Sequence, residues 1–265
     1  LMNIDHCNSH SSFTDKVEMS NLCQEITLPT KPIQHIDDDN GEIALCILSA
    51  INIGKIRDVS DFEVLCDLSV RSLDELIDFQ QYPVRAAERA TKARRSLGIG
   101  YIGLAHYLAK QGVSYGDPEA WKLVHDLTEA FQYYLIKSTV NLAKEKGACQ
   151  DSPRTKYSHG VLPIDTYKTD VDELVPNKLN FDWESLRQDV KKYGVRNSTL
   201  SAQMPSESSS VVSNATNGIE PPRGYLSIKK SKKGPLKQIV PSYNTLKNNY
   251  TLLWDMPDNT GYINI

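Results

Sequence analysis

An α/β fold is predicted by three features of this 265-residue sequence. An apolar run at 43–53 reads as a core strand or a short buried helix. Amphipathic stretches with apolar residues three and four apart follow it. A 40% hydrophobic content supplies enough side chains for a sizeable core.

Taken in chain order, residues 1–20 are polar and irregular, and 21–29 (NLCQEITLP) look extended up to a stop at Pro29. The turn-forming DDDNGE at 37–42 leads into the apolar run. Residues 60–81 space their apolar positions as a helix does, with Ser60 as N-cap. Residues 84–111 read as helical in two pieces. A long helix is predicted over 117–146, where Asp117 precedes Pro118 at the first helical position. A shorter helix follows at 182–193. From 197 the composition shifts to Ser, Asn, Gly and Pro, which reads as short strands and turns, and 241–254 reads as helical again. The basic cluster Lys229-Lys230-Ser231-Lys232-Lys233 is most simply a solvated turn.

Composition excludes several classes. Thirty basic and 33 acidic side chains leave a net charge of −3, too balanced for a general nucleic-acid binder. No run approaches the ~20 apolar residues of a membrane-spanning helix. Five widely spaced cysteines are not the framework of a small secreted domain. With no charged, then apolar, leader, the expected location is cytoplasmic. The polar opening and the apolar, strand-like end at 261–265 lead us to expect a chain cut from something longer.

Two constellations carry candidate chemistry. If 21–29 is extended, Asn21, Cys23 and Glu25 share one face at roughly 6.5–7 Å spacing. A carboxylate at that distance disfavours a thiolate by ~2 kcal/mol, at an effective dielectric of ~20. Thiolate nucleophiles prefer electropositive surroundings. A cysteine that loses a hydrogen atom has no such need, so thiyl-radical chemistry beside a carboxylate base is coherent here. A polar strand in a half-buried sheet has the same pattern, and spacing alone leaves both readings open. The second constellation is Met204-Pro205-Ser206-Glu207-Ser208-Ser209-Ser210, a helix start able to offer N–H groups to a phosphate. On local pattern an ordinary serine-rich cap fits it better, and without Gly-Lys-Ser/Thr it is not a triphosphatase loop.

Three further matches are weak. Gly98-Ile99-Gly100-Tyr101-Ile102-Gly103 fits G-x-G-x-x-G, but a helical, basic stretch precedes it where a dinucleotide fingerprint needs a strand. Glycines that permit close helix packing explain it better, and a nicotinamide dehydrogenase has no other support. His6, Cys7 and His10 lack a second pair to close a metal site, so no metal is assigned. Tyr133-Tyr134 lies on the long helix, where adjacent aromatics serve packing.

Together these segments resemble the large, catalytic subunit of class I ribonucleotide reductases. The resemblance rests on Asp5-His6-Cys7-Asn8, Ser20-Asn21-Leu22-Cys23-Gln24-Glu25, Leu28-Pro29-Thr30-Lys31-Pro32, Asn40-Gly41-Glu42-Ile43-Ala44-Leu45-Cys46, Arg94-Arg95-Ser96-Leu97-Gly98-Ile99-Gly100, Leu162-Pro163-Ile164-Asp165, Arg196-Asn197-Ser198-Thr199-Leu200, Met204-Pro205-Ser206-Glu207 and the stretch from Asn214 to Gly224. It runs from end to end.

The resemblance implies the later part of a ten-stranded α/β barrel, with 1–265 forming a partial catalytic barrel domain. It implies that Cys23 becomes a transient thiyl radical abstracting the 3′-hydrogen of a ribonucleoside diphosphate. Glu25 would take the 3′-hydroxyl proton, Asn21 would hold the ribose, and Cys46 would be one of two reducing cysteines. Ser206, Glu207, Ser208 and Ser209 would bind the substrate phosphates. No cofactor is implied within the chain. The radical would come from a separate metal-containing small subunit, and reducing equivalents from a thioredoxin- or glutaredoxin-type protein. The partner of Cys46, the allosteric specificity site, the ATP cone, the relay tyrosines and the C-terminal cysteine pair have no counterpart here. A complementary N-terminal part of the large subunit is therefore an expected partner. Ser208 stands where many relatives have Thr. The competing reading is a non-catalytic nucleotide-binding or assembly fragment. Retention of Asn21, Cys23, Glu25 and Cys46 together favours the enzyme.

Overall fold

The computed structural model describes residues 2–174, 178–232, 234–252 and 263–264. They form a mixed α/β structure that divides into two compact units. The first comprises Leu1–Ser49, Val59–Ile99 and Thr128–Met204, and the second Ala50–Asp58, Gly100–Leu127 and Pro205–Ile265.

The chain begins with a helix, α1 (Ile4–His10), capped by the Asn3 side chain, which accepts from the Asp5 and His6 amides. The apolar run resolves as a strand, β1 (Ile47–Asn52), followed by one 3-10 turn at Ile53–Lys55. Helix α2 (Asp61–Phe79) buries Phe62, Cys66, Val70, Leu73 and Ile77, the three-and-four spacing that predicted it. Ser60 takes the N-cap position, but its side chain makes no capping bond.

Residues 84–111 depart from the two-helix expectation. Helix α3 (Arg85–Arg94) ends at Arg95, whose φ of +50° is left-handed, and strand β2 (Leu97–Ile102) follows before helix α4 (Leu104–Gln111). Leu-Gly-Ile-Gly-Tyr-Ile is a poor helix former, and every residue of β2 is buried, as in a strand covered on both faces. Strand β2 pairs with β1. On its other side it meets residues 199–202, through Leu97 N to Thr199 O (2.9 Å), Ile99 N to Leu200 O (2.8 Å) and a parallel bridge from Ile99 to Ser201. The glycines thus serve strand packing. A Cβ on Gly98 would sit 2.5 Å from Leu48 Cδ2 and 3.3 Å from Ala202 Cβ.

Helix α5 (Pro118–Lys146) starts where Asp117-Pro118 predicted, although the Asp117 carboxylate accepts from the Ser114 amide (2.7 Å). Tyr133 stacks on Phe181 (4.6 Å between ring centroids) and packs edge-on against Trp183 (5.3 Å), so it is a packing residue as expected. After a single turn of helix, α6 (Val171–Leu174), α7 (Trp183–Tyr193) begins at Asp182, whose side chain caps the Ser185 amide at 2.9 Å.

The second unit holds α8 (Glu207–Ser213) and an antiparallel hairpin, β3 (Leu226–Ser231) with β4 (Gly234–Ile239), in the register Leu226 to Ile239. The helix expected over 241–254 shortens to α9 (Tyr243–Leu246) and a 3-10 turn, before strand β5 (Thr251–Leu252) pairs with β6 (Ile263–Asn264). Residues 253 and 254 lie outside the described residues. Here the Ser242 hydroxyl lies 3.1 Å from His106 Nε2, tying the 240s to α4.

The first unit is braced by buried ionic groups. Asp74 is 1% exposed and accepts from Arg95 Nε (2.6 Å), Arg196 Nε (3.2 Å) and Asn197 Nδ2 (3.0 Å). Removing one partner of such a network strands the other charges away from water. Asp74→Ala is therefore expected to lower stability by about 3–5 kcal/mol in urea unfolding. A loss below about 1 kcal/mol would show that the arginines find other partners.

Burial, helped by Lys110 and Lys55, holds the His106 imidazole at about 4, below its ordinary 6.5. Between those values the unfolded chain binds a proton that the folded chain excludes. Stability is thus full above pH 6.5 and falls as pH drops toward 4, by at most ~1.4 kcal/mol per pH unit. His106→Gln should flatten this slope in urea titrations between pH 7 and pH 5. An unchanged slope would place the acid sensitivity elsewhere.

Candidate active site

Three of the four candidate catalytic residues lie in one tight loop. Asn8 braces its approach, accepting from the Val17 amide (2.8 Å) and donating to the Val17 carbonyl (3.0 Å). The loop closes at its base where the Asn21 amide donates to Ile26 O (3.3 Å) and the Ile26 amide donates to Asn21 Oδ1 (3.3 Å). Inside it the Gln24 amide donates to Asn21 O (3.2 Å), and Gln24 has a φ of +64°.

This corrects the expected extended segment. A left-handed residue cannot continue a strand, so Asn21, Cys23 and Glu25 do not line one pleated face. Alternation of apolar residues misled because Ile26 and Leu28 are buried by the returning arm of the loop, not by a sheet. They pack with Phe13 and Ala202, and against these lie Ala44 and Cys46. The turn instead lifts Cys23 to an exposed tip beside Leu22, which is 95% exposed.

Glu25 turns the other way. Its Oε2 is buried and makes no hydrogen bond among the described residues. A carboxylate oxygen without a donor is available to receive a proton. Glu25 also lines a cavity of ≈ 430 Å³ with Cys7, His10, Ser12, Gln24 and Ser201. His6 joins that wall, yet among the described residues His6, Cys7 and His10 form no group with metal-ligand spacing.

Cys46 stands at the start of β1 on the returning arm. Burial first, and then the negative charge of Glu25, push its thiol above the ordinary range. Glu25 is thus close enough to Cys46 to act on it electrostatically, and Cys46 keeps its proton at neutral pH. All five cysteines are free thiols.

The turn expected to bind phosphate, Ser206–Ser209, belongs to the second unit. Ser206 occupies the N-cap of α8 but does not cap it through its side chain. Its hydroxyl is buried and donates to Asn217 Oδ1 (3.2 Å) while accepting from the Gly218 amide (3.2 Å). Ser209 Oγ donates to Ser206 O (3.1 Å). Two of the three expected hydroxyls therefore serve the turn itself. What remains outward is the exposed Ser208 hydroxyl and the first-turn amides, which a helix leaves without internal acceptors.

Sequence reasoning missed Lys229. Its Nζ donates to Ser208 Oγ (3.1 Å) and pairs with Glu207 Oε2 (3.2 Å). The basic cluster was visible, but only the hairpin brings this member back onto α8. Asn217, which also accepts from the Ser206 amide (3.2 Å), was equally unreadable from local pattern.

The family model described as the ribonucleotide reductase barrel domain matches residues 1–259. Over its whole length the chain is 60% identical to the ribonucleoside-diphosphate reductase subunit alpha of Haemophilus influenzae and 55% identical to the ribonucleoside-diphosphate reductase 1 subunit alpha of Escherichia coli. It is 44% identical, over 96% of its length, to the subunit alpha protein of Enterobacteria phage T4. The chain spans 35% of the length of the first two relatives and 33% of the third. The chain belongs to the ribonucleotide reductase barrel-domain family.

Proposed function

We propose that this chain is the radical-chemistry segment of a ribonucleoside-diphosphate reductase large subunit, reducing ribonucleotides to deoxyribonucleotides. The observation that carries this reading is one loop holding both an exposed thiol and a carboxylate oxygen without a hydrogen-bond donor, with that carboxylate near enough to Cys46 to raise its thiol pKa.

The steps are those the family resemblance implies, and the properties of the loop are consistent with them. Cys23, as a thiyl radical, takes the hydrogen atom from C3′ and becomes a thiol, leaving the radical on the sugar. Glu25 accepts the 3′-hydroxyl proton through its unengaged oxygen. The 2′-hydroxyl leaves as water with one proton from the cysteine pair, and Glu25 later returns its proton to the 3′-oxygen. Two electrons and the replacing hydrogen come from Cys46 and a second cysteine outside this chain, which end as a disulfide. Cys23 then returns its hydrogen atom to C3′ and the radical is regenerated. Asn21 holds the ribose, and the α8 turn of Ser206, Glu207, Ser208 and Ser209 holds the diphosphate. Because the hydroxyls of Ser206 and Ser209 are engaged within the turn, this reading gives most of that binding to backbone N–H groups.

A separate metal-containing small subunit supplies the radical, and a thioredoxin- or glutaredoxin-type protein resets the disulfide. A complementary N-terminal part of the large subunit completes the barrel, in the cytoplasm. Its strands would cover the apolar loop tip at Met19 and Leu22, 58% and 95% exposed here.

Cys23→Ser should abolish reduction in the assembled enzyme while leaving nucleotide affinity intact, because an O–H bond is too strong for the same abstraction. Turnover near the unsubstituted level would refute the assignment. Mass spectrometry after a single turnover without external reductant should find Cys46 in a disulfide with a cysteine from outside residues 1–265. Cys46 joined to Cys23, or still reduced once product has formed, would contradict its role.

A further inference from the structure

The residues of the candidate site sit on two arms of chain, 21–31 going out and 42–46 coming back. Lys31 and Glu42 join the arms, each amide donating to the other's carbonyl at 3.0 Å. Lys31 Nζ also pairs with Glu42 Oε1 at 2.9 Å, but Lys31 is a half-exposed side chain and holds little on its own.

Arg94, the last residue of α3, reaches both arms with one guanidinium. Its Nη1 donates to Pro29 O on the outgoing arm at 2.6 Å, and its Nη2 donates to the Glu42 carboxylate on the returning arm. Behind the fork, Nε makes no hydrogen bond among the described residues and has Asp151 Oδ2 as an ion-pair partner at 3.5 Å, the Asp151 amide donates to Ala93 O (3.0 Å), and the guanidinium lies over the Phe13 ring at 5.6 Å. Arg94 O further accepts from the Ser198 amide (3.1 Å), beside the strand that covers β2. The side chain is 2% exposed, so these contacts are not exchanged for water. A planar fork can serve two acceptors at fixed separation, which an ammonium on a flexible stem cannot.

We propose that Arg94 is a positioning residue for the reductase reaction, setting the placement of the Cys23–Glu25 loop against Cys46 by clamping Pro29 and Glu42 in one rigid fork. Its neighbour Arg95 is the internal control. Arg95 is as deeply buried (4% exposed) but is engaged by Asp74 and Asp78 of α2, away from both arms. A general loss of packing would affect both positions alike; a clamp on the arms belongs to Arg94 alone.

The inference rests on the proposed reductase reading, and its test separates the two. In the assembled enzyme, Arg94→Lys should speed amide hydrogen exchange in residues 26–31 and 42–46 at least ~10-fold, with α2 and α5 unchanged. The same variant should lower kcat by ~10–100-fold with KM for the nucleotide altered by less than ~3-fold, as expected when reacting groups are misplaced by about 1 Å. Arg95→Lys should instead loosen α2 and spare the arms. Unchanged exchange in the arms, or faster exchange with full kcat, would overturn the clamp. If Cys23→Ser retains activity, the reductase reading fails, while the exchange pattern still judges whether Arg94 holds the arms.

Discussion

The first unit depends on two adjacent guanidinium groups buried at the end of α3. Withdrawing a charged group from water costs several kcal/mol, so each arginine dictates what must surround it. Arg94 requires the carbonyl of Pro29 and the carboxylates of Glu42 and Asp151. Arg95 requires Asp74, through carboxylate and carbonyl, and the carboxylate of Asp78. The left-handed backbone at Arg95 ends the helix and turns the chain into β2 within two residues. Helix, buried strand and functional loop thus share one anchoring point.

The electrostatics of the loop suit one kind of cysteine chemistry and oppose another. A nucleophilic thiolate needs a nearby positive charge or a base that carries its proton away. Here the nearest influence on Cys46, after burial, is the negative Glu25, which keeps the sulfur protonated. A thiol that is to hand over hydrogen together with its electrons benefits from that arrangement. The same carboxylate, with one oxygen unengaged, is placed to act as a base toward a hydroxyl group.

In the second unit, the α8 turn is held by Asn217 from a neighbouring loop and by Lys229 from the hairpin. Its serines therefore divide into those that shape the backbone and one, Ser208, that faces outward beside a lysine. The hydroxyls of Ser206 and Ser209 are spent on holding the turn, so the proposed anion binding would fall to its amides.

Local pattern made much of this legible. The apolar spacing of α2 fixed its buried face, Asp117-Pro118 fixed the start of α5, and Asp182 fixed that of α7. Asn21, Cys23 and Glu25 stood out by their spacing, which left a polar strand as an alternative, and Cys46 was identified through the family resemblance. Three things escaped. The 97–102 strand was hidden because buried strands lose the alternation that marks half-exposed ones. The loop at 21–26 resembled a strand because its apolar residues alternate, while their burial comes from Phe13 and Ala202, distant in sequence. Lys229 looked like any solvated lysine until strand pairing returned it to α8. The sequence by itself determined helix faces and helix starts, since these rest on neighbours within a few residues, and its motifs carried the family membership. The tertiary structure alone decided which way the loop turns, which arginine clamps it and which hydroxyls face inward. Those outcomes depend on satisfying buried polar groups with partners scores of residues away, which no local pattern encodes.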